Sequence, residues 1–101
     1  MAPLEVFWTP TALRQRNIVF EYWNERNQSY EYSKKLYSKI TERTNLLKIN
    51  PEMGKKTIFN DNRAISLGHY SIFYQFDTKI IITAFWDNRQ DPTKLLKSLR
   101  K

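Results

Sequence analysis

Arg89 lies just beyond an apolar run, Ile80-Ile81-Ile82-Thr83-Ala84-Phe85-Trp86, inside the polar pentad Asp87-Asn88-Arg89-Gln90-Asp91. A guanidinium presents a planar fork of donors that fits a phosphate, so anion binding at the end of a rigid strand is one reading. A surface ion pair with Asp87 or Asp91 that closes a turn is the other, and the spacing leaves both open. The single histidine, His69, precedes Tyr70 and reads either as a partly exposed turn residue or as a general base. It has no second histidine and no cysteine to share a metal, so no metal site is expected. Lys55, Lys56 and Arg63, each taken alone, read as ordinary solvated cations. Gly54 and Gly68 are the only glycines, which excludes a glycine-rich phosphate loop, and there is no nucleophile elbow. No cofactor is expected.

These residues need elements to hold them. Leu4, Val6 and Trp8 alternate with Glu5 and Phe7, predicting a first strand over 4–8. Thr9 followed by Pro10 then starts a helix, because proline's missing N–H falls where a donor would be unpaired in any case. Ala12, Val19 and Trp23, widened by Leu13 and Phe20, form its apolar stripe. Asn27-Gln28-Ser29 ends that helix, and Ser29 is placed to cap a second one over about 30–49, with Leu36, Tyr37, Ile40 and Leu47 on one side. The short link predicts an antiparallel helical hairpin. "NPEMGKK" (50–56) ends the helical half and leaves Lys55 and Lys56 in a loop. The pattern then changes to period two, with strands over 63–67, 70–76 and 80–86. The last is apolar on both faces, as a central strand is. Asp91-Pro92 repeats the cap-and-proline signal for a short helix carrying Leu95, Leu96 and Leu99. The order β-α-α-β-β-β-α predicts one α+β domain over 1–101: an N-terminal strand, the helical hairpin packed on a mainly antiparallel sheet of four strands, and a short C-terminal helix.

Bulk properties narrow the partners. A chain of 101 residues with 41% hydrophobic and 15% aromatic content can bury a core as a single domain. The absence of cysteine suits a reducing cytoplasm, no run reaches the roughly 18–20 residues of a membrane span, and "MAPLEVFW" has no basic region of a secretory leader. A formal net charge of +7 directs attention to anionic partners: nucleic acid, an acidic protein or anionic lipid.

The succession "FWTPTAL", a basic helix ending in "NPEMG", and "RAISLGHYSIFYQFDTKIIITAFWDNRQDP" resembles the RelE/ParE superfamily of bacterial toxins over nearly the whole chain. That resemblance implies two helices on a twisted, mainly antiparallel sheet, and the toxin half of a type II toxin–antitoxin module silenced by a small acidic antitoxin. RelE-type members cleave messenger RNA in the ribosomal A site without a metal; ParE-type members poison DNA gyrase. By the resemblance, Arg89 stands where RelE-type toxins contact the scissile phosphate. Lys55 and Lys56 fall in the loop that lines the RNA groove, and Arg63 matches the arginine that starts the following strand. Metal-free RNA cleavage also needs groups that move protons, for which the chain offers His69, Asp87 or a tyrosine. Pro92-Thr93-Lys94 stands where RelE-type nucleases commonly carry a tyrosine or histidine. The expectation is therefore a ribosome-dependent mRNA endoribonuclease with Arg89, Arg63 and His69 catalytic, and gyrase inhibition or a degenerate RNA-binding relative as alternatives.

Overall fold

A computed structural model describes residues 3–59 and 61–99. Strand β1 (Val6–Trp8) leads into helix α1 (Pro10–Asn27), which starts as its sequence predicts: Thr9 Oγ1 accepts the Ala12 N–H at 3.1 Å, and Pro10 occupies the first turn. Helix α2 (Glu31–Ile49) follows, with Ser29 Oγ accepting the Glu31 N–H at 3.1 Å. The hairpin is antiparallel: Ser33 Oγ donates to the Phe20 carbonyl, and Phe20 meets Tyr37 edge-on one turn further along. Arg16 is held over the Trp8 ring, 4.9 Å from its centroid, so this cation belongs to the packing of α1 on β1.

The sheet has five strands, not the four predicted. Lys55–Lys56 form β2, a two-residue strand paired with Ala64 and Arg63 of β3 (Arg63–Leu67). Two residues are too few to show a period-two pattern, and neither lysine is buried, so no hydrophobic signal marks the strand. Strands β4 (Tyr70–Phe76) and β5 (Ile80–Asp87) complete the order β1-β5-β4-β3-β2, antiparallel except where β1 runs parallel to β5. Helix α3 (Pro92–Leu99) ends the described chain, with Asp91 Oδ1 accepting the Thr93 N–H at 2.9 Å as its cap.

Alternation along β4 assigns the two cores. Tyr70, Ile72, Tyr74 and Phe76 face the helices with Ile80, Ile82 and Phe85 of β5. Phe73, Ala84 and Trp86 face the other way, against Leu95 of α3. Both faces of β5 are therefore covered, which is why its sequence lacks polar alternation. The register slips by one residue between β4 and β5, leaving Thr83 without an opposite number. Just past the slip the Phe85 N–H donates to Gln15 Oε1 of α1 at 2.9 Å, so a helix side chain satisfies the disturbed ladder.

Candidate functional site

The strand register sorts the predicted site residues into two groups. Lys56 pairs with Arg63, and Arg63 with Tyr74; at the other end, Leu67 pairs with Tyr70 and Tyr70 with Asp87. Four residue steps along β3 separate the two ends, roughly 13 Å at the usual strand rise. Arg63, Lys55 and Lys56 belong to one end of the sheet, His69 and Arg89 to the other.

At the first end Arg63 is committed to structure. Its Nη1 donates to the carbonyls of Glu52 and Gly54, at 3.1 and 2.9 Å, and its guanidinium lies 5.6 Å from the centre of the Phe76 ring. The same turn is gripped from below by Tyr74, whose hydroxyl donates to the Pro51 carbonyl (2.6 Å) and accepts the Gly54 N–H (2.9 Å). Burial pushes the Tyr74 phenol above its ordinary range, which keeps it a neutral donor near pH 7. "NPEMG" is thus a turn clamped by one arginine and one tyrosine, while Lys55 and Lys56 stand exposed beside it.

At the second end the polar pentad resolves into a turn with a filled fork. Arg89 Nε and Nη2 donate to the two carboxylate oxygens of Asp87, each at 2.9 Å, and the Arg89 backbone N–H adds a third bond to Oδ1. Hydrogen bonding from Arg89 holds the Asp87 carboxyl below its usual range, and the pairing raises the guanidinium further still. The Asp87 side chain is 19% exposed and that of Arg89 53%, so the acid is sunk toward the core while the cation stays near solvent. His69, exposed in the Gly68-His69 turn between β3 and β4, is tied here by its backbone: its carbonyl accepts the Asn88 N–H at 2.8 Å. Gly68 takes φ = +65°, a value that favours glycine.

A cleft of about 520 Å³ opens beside this fork, between α1 and the ends of β4 and β5. Its floor is Trp23 and Tyr70, joined by a 2.9 Å bond from the Trp23 indole N–H to the Tyr70 hydroxyl; Tyr70 in turn stacks on Phe85. Its walls include Ile18, Tyr22 and Arg26 of α1 with Asp87 and Arg89. Ile18, Tyr22 and Arg26 went unnoticed in the sequence because they lie off the Ala12–Val19–Trp23 stripe and so read as surface. The available signal was their own spacing of four, which places them on one side of the helix. Among the described residues no three His, Asp or Glu side chains come together as metal ligands.

Asp87 contributes to stability only as a carboxylate. Because its folded pKa lies below the ordinary carboxylate value, that contribution is present above about pH 4 and is lost as pH falls through the depressed value. Asp87→Asn should therefore melt below the wild type at pH 6, and the gap should close as both are melted at successively lower pH. Asp91 titrates in the same direction in both proteins and so leaves the difference unaffected. A gap independent of pH down to pH 2 would show that the Asp87–Arg89 pair does not hold in solution.

A strand, a helical hairpin and an antiparallel meander with a short closing helix make a RelE/ParE-like architecture. The family model described as ParE toxin of type II toxin-antitoxin system, parDE, matches residues 6–92, and the chain belongs to that family. No curated protein matches the sequence. No helix among the described residues is long and apolar enough to cross a membrane.

Proposed function

We propose that this toxin acts without catalysis, by binding and poisoning DNA gyrase, and that a small acidic antitoxin silences it. One observation carries the reading: the cations that metal-free RNA cleavage would gather around one phosphate are divided between the two ends of the sheet. Both arginines are already engaged, Arg63 by two backbone carbonyls and Arg89 by the Asp87 carboxylate. Stabilising a pentacoordinate phosphate needs preorganised donors aimed at one point, and Lys55, Lys56 and Arg63 do not converge with Arg89. Membership in the ParE family supports the same target.

Ribosome-dependent mRNA cleavage draws on the second end alone, where the Asp87–Arg89 pair and the His69 turn meet. In that scheme the pair would have to open on the ribosome. The two readings part in one experiment. Purified toxin is expected to inhibit supercoiling of relaxed plasmid by gyrase, and to leave messenger RNA on programmed ribosomes intact. New RNA 5′ ends within codons, with supercoiling unaffected, would reverse the assignment.

A further inference from the structure

Helix α2 carries five basic residues against two acidic ones, and three of the five stand in a row. Lys35, Lys39 and Arg43 recur every four residues, which sets them on one flank over roughly 12 Å of helix axis. That flank runs beside β3: Arg43 Nε donates to the Ser66 carbonyl at 3.3 Å, and Nη1 donates to Glu42 Oε1 at 3.1 Å. Ahead of Arg43 a cleft of about 510 Å³ lies between α2 and the β3–β4 turn, and its lining includes Lys35, Lys39 and His69 but no acid. Like charges four residues apart destabilise a helix, so neither Lys35–Lys39 nor Lys39–Arg43 serves the folding of α2. The two acids do not relieve them. Glu42 is bonded to Arg43, and Glu31 stands in the first turn, where an acid suits the helix dipole. An anion from outside the chain would offset the repulsion.

We propose that this flank of α2 binds the sugar–phosphate backbone of duplex DNA, with Lys35, Lys39 and Arg43 each meeting one phosphate. Cations spread along a line do not gather on a single phosphate, but they fit a regular chain of them. A protein partner would need an apolar anchor. The exposed aromatic between Lys35 and Arg43 is Tyr37, and it lies on the other side of the helix, against Phe20. A single strand would need open aromatic faces for its bases. Tyr70 is buried, and the Tyr32 ring packs on Trp23 with centroids 4.7 Å apart. Contacts to phosphate alone carry no base information, so binding is indifferent to sequence. The choice of DNA over another duplex rests on the gyrase reading, because gyrase acts on duplex DNA. The contact itself does not rest on it and is measured without the enzyme.

The test is fluorescence anisotropy of a short labelled DNA duplex of mixed sequence, titrated with the whole toxin at several salt concentrations. Three phosphate contacts should make log K fall against log salt with a slope of about −3. Lys35→Gln combined with Lys39→Gln should reduce that slope by about 2 and weaken binding about tenfold at physiological salt, equally for unrelated sequences. Lys34→Gln combined with Lys48→Gln removes the same charge from the opposite flank of the same helix. That control should change the affinity by less than about twofold, because its charges are screened from the duplex. In circular dichroism melts the Lys35 and Lys39 double variant should unfold at or slightly above the wild-type temperature, since like-charge pairs are relieved. Lysines with a merely structural role would give a lower melt. No binding at low salt, affinity independent of salt, or equal loss in the two double variants would each overturn the proposal. So would binding about tenfold tighter to RNA of the same length. A toxin that binds the duplex with the expected slope yet fails to inhibit supercoiling would overturn the gyrase reading and leave the contact standing.

Discussion

Gly54→Ala is expected to lower the melting temperature of this protein by about 12–24 °C. A Cβ at position 54 would lie 2.5 Å from the Tyr74 hydroxyl oxygen, with two further ring atoms within 3 Å. The ring has no room to yield, since Tyr74 is fully buried between α2, β3 and β5. Either the turn backs away, breaking the bonds of Tyr74 to Pro51 and Gly54 and those of Arg63 to Glu52 and Gly54, or the core shifts. Overpacking and lost buried hydrogen bonds together cost about 3 kcal/mol, a large share of the stability of a small domain. Adding Tyr74→Phe should not rescue the variant: the hydroxyl leaves, but ring Cε1 remains 2.7 Å from the new methyl and the Gly54 N–H loses its acceptor. A Gly54→Ala protein that melts like the wild type in scanning calorimetry would show that the turn is not clamped as described.

The second large effect separates the two arginines. Arg63→Ala should destabilise the fold by about 2 kcal/mol, because it removes a charged donor from two carbonyls of the clamped turn. Growth arrest on induced expression should then weaken in step with the loss of folded protein. Arg89→Ala should leave the fold intact, since β5 is held on both sides by β1 and β4 whatever follows it. Its activity should fall by about tenfold, the scale of one contact residue at a protein interface. A loss on the order of 100-fold or more in a protein that still folds cooperatively, with little rescue by Arg89→Lys, is the mark of a guanidinium that stabilises a reacting phosphate. That result would restore messenger RNA cleavage as the activity.

Much of the architecture was legible before any coordinates. Thr9-Pro10 and Asp91-Pro92 announce helix starts by local chemistry, and β4 declares its two faces by alternation; neither signal depends on distant contacts. The site was less legible. Taken alone, Arg63 looked like a solvated cation, because its partners are carbonyl oxygens of a turn some ten residues away, and every residue type carries such an oxygen. For Arg89 the sequence left a phosphate contact and an ion pair both open, and the structure brings Asp87 into its fork.

The division has a physical cause. Short-range forces are written in the residues themselves: charge, helix caps, strand periodicity and the greasy central strand that ends at Asp87. Which cations share a neighbourhood is a matter of strand register, and so of the folded chain. Pairing Arg63 with Tyr74 and Tyr70 with Asp87 sends basic residues of similar appearance to opposite ends of the sheet. The cleft likewise needed the fold. Ile18, Tyr22 and Arg26 become one side of a pocket only when α1 crosses β5 and brings them to Arg89, some seventy residues further along the chain.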